Sequence, residues 1–275
     1  MPIRQQSSLF SAEQHERFTT VGFVRLAGAV PAPDVQRMRE RAWELLEQQG
    51  FAEADPSTWR PGPVAKLRDL RSGDQPLEEN PVVAAALDVV FGEEGWAPPK
   101  DWGQPLVTFP GTNSEWLMPS SVWHFDHPYT QPGQVTGVNV FMFINDVDPA
   151  GGGTVVVQSS PLLANRMLAQ NPTIEKLGEQ NKAFLRSHPW LEGLKTKKSE
   201  RNEKRNRRYM DHDTDIDGIP ARVTELTGKA GDVIVCHPAL LHAPAPNVSD
   251  QPRLMRTARV MSTAMHAAIQ AHSKG

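Results

Sequence analysis

The chain has 275 residues, a length that fits two average domains or one large one. Apolar residues make up 39 % and charged residues 22 %, so the chain can bury a sizeable core. The formal net charge of −3 argues against a dedicated nucleic-acid binder, which usually carries a basic excess. The single cysteine, Cys236, cannot form an internal disulfide, and neither a signal peptide nor a membrane-spanning stretch is predicted. We therefore expect a cytoplasmic protein with no nucleic-acid or membrane partner.

The first 103 residues predict a mainly helical N-terminal support with one short strand. A capping box at residues 11–14 predicts the start of a first helix, and the alternating run 22–26 predicts the strand. A second helix is expected to be capped by Asp34, with its apolar residues at helical spacing. A third is expected at Asn80-Pro81, because proline is tolerated in the first turn of a helix.

From residue 104 the sequence changes to short β-type runs separated by Pro, Gly, Asn and Asp. Several short strands at this spacing favour a sandwich or jelly roll over a parallel α/β sheet. We expect one domain over residues 1–275, with its β core in residues 104–265 and a polar, helical insertion at about 162–218. Strands are predicted at residues 135–146, 153–157, 232–236 and 254–261.

A basic run lies within the predicted insertion. Between Lys195 and Arg208 the chain has eight basic and two acidic residues. Such a run is typical of a solvated helix face or of a mobile lid, and a site for a phosphate or carboxylate group is the alternative. The sequence leaves these alternatives open.

The most informative motif is Trp-His-Phe-Asp-His-Pro at residues 123–128. Alternate side chains share one face of a strand, so we expect His124 and Asp126 to point the same way and His127 to point oppositely. An imidazole and a carboxylate on one face supply two ligands of a two-histidine, one-carboxylate Fe(II) site. Alone the triplet is a weak signal, because a surface hydrogen-bonding pair can have the same sequence.

Two histidines further along the chain could supply the third ligand. His237 and His242 are five residues apart and would face opposite ways in a regular strand, so at most one is expected to bind metal. His242 comes where the strand gives way to an Ala-Pro-Ala-Pro-Asn turn, a suitable place for a ligand at the mouth of a barrel. His237 precedes a proline and is expected to be either a packed histidine or one that supports the metal ligands without binding the metal.

Arg253 would complete such a site. Three protein ligands leave Fe(II) with open positions, and a dicarboxylate cosubstrate can chelate two of them. Its distal carboxylate then needs a fixed cation, and the planar guanidinium of arginine suits that task. Arg256 lies on the opposite face of the same predicted strand and is the alternative. Either arginine could instead belong to a surface salt bridge.

These residues together resemble the phytanoyl-CoA dioxygenase family, a branch of the Fe(II)/2-oxoglutarate oxygenases. The resemblance covers most of the chain. It includes Phe18 and the Gly-Phe-Val of residues 22–24, the motif at 123–128, the Gly-rich segment 149–157 and the segment 237–253.

The resemblance implies a double-stranded β-helix, a cupin-like jelly roll, with flanking helices. It also implies His124, Asp126 and His242 as iron ligands and Arg253, eleven residues after His242, as the arginine that binds 2-oxoglutarate. The family often has serine where this chain has Pro244, so Thr154 or another group is expected to supply the missing hydrogen bond. Fe(II), 2-oxoglutarate and O₂ are the cofactor and cosubstrates that the resemblance implies.

The implied activity is hydroxylation of a small organic molecule with release of succinate and CO₂. Asp126 argues against a halogenating relative, which would need a small residue there. One alternative is a cupin-like dioxygenase or isomerase that does not use 2-oxoglutarate and has no need of Arg253. Another is a non-catalytic ligand-binding relative. The sequence discloses neither the substrate nor the oligomeric state.

Overall fold

The structure is a computed structural model that describes residues 10–64, 77–99, 101–113, 115–127, 133–171 and 176–272. Within these ranges, no helix combines the length and the apolar character needed to cross a lipid bilayer. The helices of the described residues are α1 (Ala12–Thr20), α2 (Ala32–Glu47), α3 (Pro81–Phe91), α4 (Ser160–Gln170), α5 (Leu177–Arg186), α6 (Pro189–Glu192), α7 (Glu203–Met210) and α8 (Thr263–His272).

The strands form two antiparallel sheets. The strands are β1 (Phe23–Leu26), β2 (Gly62–Pro63), β3 (Trp96–Ala97), β4 (Gln104–Phe109), β5 (Gly137–Phe143), β6 (Thr154–Gln158), β7 (Thr214–Ile216), β8 (Ile219–Glu225), β9 (Val233–Cys236), β10 (His242–Pro244) and β11 (Arg253–Ser262). The major sheet has the order β1-β9-β5-β11-β4-β2, with β3 also paired to β11, and the minor sheet has the order β10-β6-β8-β7. The fold is the expected jelly roll.

The faces of the two sheets follow from the alternation of side chains along each strand. On β11, Leu254 and Val260 pack beneath the N-terminal helices α1 to α3, on the outer face of the major sheet. Met255 instead packs with Val156 of β6 and Ile234 of β9, so it points into the space between the sheets. We call this side the interior face. Residues 253, 257 and 259 share the parity of Met255 and lie on the interior face of β11.

The predicted helix starts are confirmed at α1 and α3 and wrong at α2. Ser11 and Gln14 form the reciprocal capping box, and Asn80 Oδ1 accepts the first two N–H groups of α3 at 3.1 and 3.0 Å. Helix α2 begins two residues before Asp34, after Pro31, and has no side-chain cap. Proline in its first turn already restricts φ to helical values, so this helix begins without the cap expected from Asp34.

The insertion packs on the outer face of the minor sheet. Helices α4 to α7 share a buried apolar cluster with Val155 and Val157 of β6. Within the basic run, Arg201 donates to the carbonyl of Leu117 at 2.7 Å, and Arg205 donates to that of Met118 at 3.0 Å. These two arginines therefore fix the segment that precedes the His-x-Asp motif, and for them the solvated-face prediction is wrong.

Candidate metal centre

His124, Asp126 and His242 converge between the sheets. His242 begins β10, and His124 forms a single β-bridge with it, with N–H to carbonyl distances of 3.0 and 3.1 Å. Asp126 Oδ1 lies 3.5 Å from His124 Nε2, and Asp126 Oδ2 lies 3.4 Å from His242 Nε2. One ligand atom from each residue lies within 4.8 Å of the other two. Two imidazoles and a carboxylate at this spacing can hold one metal ion.

The His-x-Asp motif was expected on a regular strand, and this prediction is wrong. In residues 121–127 only His124 has a β-bridge, yet His124 and Asp126 still reach the same site. His237 and His242 were expected to point oppositely because they lie five residues apart on one strand, but they do not share a strand. Strand β9 ends at Cys236, before His237, whereas His242 opens a strand of the other sheet.

Backbone carbonyls orient both imidazoles. Val122 has φ of +62°, a conformation that is rare for a β-branched residue, and its carbonyl lies 2.7 Å from Nδ1 of His124. The carbonyl of Leu240 lies 2.9 Å from Nδ1 of His242. Because a carbonyl only accepts, Nδ1 carries the proton in both rings. In the neutral form Nε2 therefore keeps the lone pair that a metal requires.

The Asp126 carboxylate is surrounded by hydrogen-bond donors. Asn139 Nδ2 donates to Oδ2 at 2.7 Å, and the guanidinium of Arg259 donates to Oδ1. Asn139 Oδ1 accepts in turn from Nε2 of buried His127 at 3.1 Å. Burial raises the pKa of Asp126, but contacts with the two ligand histidines and Arg259 outweigh it and hold the pKa well below its usual range. The carboxylate is therefore ionised, as a metal ligand must be.

Sequence reasoning assigned no role to Asn139 or Arg259. A signal for Asn139 is present, because it is the polar residue in the otherwise apolar strand β5. Arg259 has the parity of Arg253 on β11, which places both on the interior face. Contact of either residue with Asp126 depends on packing between distant strands, which local periodicity does not report.

Arg253 opens β11 and is buried on the interior face, with 5 % of its surface exposed. Its Nη1 donates to the carbonyl of Gly152 at 2.5 Å, and its Nη2 donates to Thr108 Oγ1 at 2.8 Å. Among the described residues, its Nε has no hydrogen-bond partner. Burial lowers the pKa of Arg253 to about 10, so the guanidinium remains charged at neutral pH. Arg256 is also buried, but it lies on the opposite face.

Thr154 lies on the interior face of β6. It pairs directly with Pro244 across the two strands, and His242 pairs with Val156 in the same register. Because Val156 belongs to the cluster between the sheets, Thr154 and Pro244 face that space as well. The hydroxyl of Thr154 thus stands opposite the position where proline replaces the family's serine.

His237 lies outside the metal-binding group, as expected. Its side chain is buried, with 4 % exposed, and its ring centroid lies 5.2 Å from that of Phe18. Its Nδ1 accepts from the N–H of Ala239 at 3.1 Å. Burial lowers the pKa of His237 to about 3. The folded protein therefore keeps this ring neutral at pH values where an unfolded histidine is charged.

We expect the His237→Asn variant to bind metal normally and to lose part of the pH dependence of stability. Below about pH 6.5 His237 binds a proton in the unfolded chain but stays neutral in the folded chain. The free energy of unfolding therefore falls as pH is lowered. Asparagine can accept from the N–H two residues on but does not titrate. Urea unfolding between about pH 6.5 and pH 4.5 should show a slope smaller by up to about 1.4 kcal/mol per pH unit. Equal slopes for wild type and variant would contradict this expectation.

A jelly roll with two histidines and one carboxylate on its interior face defines a class of non-haem Fe(II) oxygenases. The Phytanoyl-CoA dioxygenase (PhyH) family profile matches residues 18–255. No curated protein sequence matches the chain. The chain therefore belongs to the phytanoyl-CoA dioxygenase family of Fe(II)/2-oxoglutarate-dependent oxygenases.

Solved structures agree with this fold at low sequence identity. EctD from S. alaskensis, in its apoform, has a TM-score of 0.54 and 16 % identity, over 95 % of this chain and 80 % of EctD. HygX from Streptomyces hygroscopicus, solved with nickel and 2-oxoglutarate bound, has a TM-score of 0.50 and 16 % identity, over 92 % of this chain and 87 % of HygX. EvdMO1 has a TM-score of 0.51 and 18 % identity, over 91 % of this chain and 50 % of EvdMO1. At these identities the likeness concerns the fold.

Proposed function

We propose that the protein hydroxylates a small organic molecule in a reaction that consumes 2-oxoglutarate and O₂ and releases succinate and CO₂. His124, Asp126 and His242 would hold Fe(II), and Arg253 and Thr154 would hold 2-oxoglutarate. The observation that carries the proposal is a buried, charged arginine that faces the same space between the sheets as the three candidate metal ligands. Bound Fe(II) would supply the activation of O₂, while the protein orients the reactants and excludes water.

The environment of Arg253 supports binding of a carboxylate. Burial of charge is unfavourable, and in this protein the guanidinium makes one bond to a carbonyl and one to a hydroxyl. Glu225 stabilises its charge electrostatically, but the Glu225 carboxylate accepts from the N–H groups of Ala150 and Gly153. Nε is a buried donor without a partner among the described residues. A carboxylate would accept from such a donor and neutralise the charge. A metal-dependent enzyme that does not use 2-oxoglutarate would need this cation only for its contacts with the protein itself.

Thr154 supports the same assignment. Its side chain is buried and faces the space between the sheets, two residues before the partner of His242 in the register. Pro244 has no side-chain donor, so a hydroxyl in the opposite strand restores one on the same face. We therefore assign Thr154 a hydrogen bond to the cosubstrate.

The test is a search for turnover. The protein, reconstituted with Fe(II), is incubated with 2-oxoglutarate, O₂ and a metabolite extract, and succinate and changed metabolites are identified by mass spectrometry. We expect succinate release together with a product that has gained one oxygen atom. The Asp126→Ala variant is the control, because it lacks the one acidic ligand. Succinate at the level of that control would contradict oxygenase activity, and a product that has lost two hydrogens would replace hydroxylation by desaturation.

A further inference from the structure

The segment between the two metal ligands His124 and Asp126 is held from both sides. On one side the backbone of His124 exchanges two hydrogen bonds with that of His242. On the other side the backbone of Phe125 meets the side chain of Asn181 on α5. Asn181 Oδ1 accepts from the N–H of Phe125 at 2.7 Å, and its Nδ2 lies 3.4 Å from the Phe125 carbonyl oxygen.

Asn181 thus takes the place of a neighbouring strand. A primary amide has the same donor and acceptor as a peptide group, and here both are directed at one residue. Consecutive residues of an extended chain point their backbone groups in opposite directions, so His124 pairs with β10 while Phe125 needs a different partner. Residues 121–127 have only the β-bridge at His124, so no strand pairs with the backbone of Phe125. The side chain of Asn181, from the insertion, is its partner instead.

Packing on the same helix face supports this arrangement. Phe184 lies three residues after Asn181, one turn along α5, and is fully buried. Its ring meets that of Phe125 edge-on, with ring centroids 4.8 Å apart. Phe125 is 2 % exposed and packs within the apolar cluster of the insertion. One face of α5 therefore holds both the backbone and the side chain of the residue between the ligands.

We propose that Asn181 is a positioning residue for the metal centre. It does not touch the metal. By holding Phe125 it fixes the backbone from which His124 and Asp126 project, so their donor atoms are already close before metal binds. The inference rests on the metal site of the proposed function, and it gives the insertion a role in that site.

Removal of the amide should weaken metal binding. In Asn181→Leu the N–H of Phe125 loses its acceptor in a buried setting, and the segment can relax away from the ligand geometry. Residues that orient metal ligands typically change metal affinity about 10- to 100-fold when they are replaced. We expect Asn181→Leu to bind metal at least about tenfold more weakly than wild type. Asn181→Asp keeps the acceptor for the Phe125 N–H but directs a carboxylate oxygen, in place of the amide N–H, at the Phe125 carbonyl, so it should recover only part of the affinity.

The experiment titrates Co(II) under anaerobic conditions, followed by visible absorbance and calorimetry. Asn171→Leu is the matched control, because Asn171 lies in the same insertion and its Nδ2 donates to the Met167 carbonyl of α4. We expect this control to bind like wild type. Circular dichroism and thermal unfolding of the metal-free proteins report whether each variant folds. If Asn181→Leu does not fold, Asn181→Ser provides the same comparison with a shorter side chain.

Different outcomes separate this inference from the proposed function. Wild-type protein that fails to bind Co(II) would overturn the metal site itself. Wild-type binding with unchanged affinity in Asn181→Leu would overturn the role of Asn181. Equal losses in Asn181→Leu and Asn171→Leu would also overturn it, because the effect would then not depend on the bond to Phe125.

Discussion

The Asp126→Ala variant is expected to lose metal binding while keeping its fold. Asp126 is the one acidic ligand of the group, and its carboxylate lies within 3.5 Å of both ligand histidines. Without it, the charged guanidinium of Arg259 would face the site with no carboxylate to neutralise it. The loss should therefore exceed the roughly 10- to 100-fold change that is typical of residues that merely orient ligands. His124→Ala and His242→Ala should likewise abolish binding.

The metal-free Asp126→Ala protein should fold but be less stable than wild type at neutral pH, because a carboxylate whose pKa is held low in the folded protein stabilises that state above the unfolded pKa. The pair with the more than half-exposed Arg259 contributes only about 0–1 kcal/mol of this, whereas the mostly buried carboxylate also accepts from Asn139. The measurement is bound iron after anaerobic reconstitution, with circular dichroism as the check on folding. Asp146→Ala is the control, because Asp146 is an exposed carboxylate that pairs with Lys229 away from the metal group. Full iron content in Asp126→Ala would contradict the assignment of this ligand.

Three strands of the two sheets are predictable from sequence because they are short β-type runs between residues that favour turns. Strands β6, β9 and β11 match the predicted limits to within one residue. Once β11 is predicted, the alternation of side chains along a strand is enough to place Arg253 and Arg256 on opposite faces. The helix start at Asn80 is predictable for a similar reason, since a cap is a contact between residues two or three positions apart.

The contacts that shape the metal centre are less predictable, because they join residues far apart in the chain. Asn139 reaches Asp126 from another strand, and Asn181 reaches Phe125 from a helix of the insertion. Neither contact can be predicted from the periodicity of the sequence, because periodicity reports only local structure. The motif at 123–128 was expected on a strand because the local sequence cannot tell a paired strand from an extended segment that is held by side chains. Basic residues such as Arg205 mislead in the same way, since their charge suggests solvent.

The last prediction concerns Arg253 and tests the use of 2-oxoglutarate directly. If 2-oxoglutarate binds as proposed, its distal carboxylate pairs with a guanidinium that is buried and charged. Removal of one partner of a buried pair typically costs about 3–5 kcal/mol, because the other charge is left uncompensated. At about 1.4 kcal/mol per tenfold, Arg253→Ala should weaken 2-oxoglutarate binding by roughly two to three and a half orders of magnitude. Arg253→Lys keeps the charge but not the planar fork and should fall between wild type and Arg253→Ala.

The readout is an anaerobic titration of the Fe(II) protein with 2-oxoglutarate, followed by the charge-transfer absorbance of the complex. Iron binding itself should be unchanged in Arg253→Ala, because Arg253 is not among the three ligands. Arg256→Ala is the matched control: it removes a second buried arginine from the same strand but on the opposite face. We expect it to lower stability without a shift in the 2-oxoglutarate midpoint. An unchanged midpoint in Arg253→Ala would remove this residue from the site and favour a metal-dependent enzyme that does not use 2-oxoglutarate.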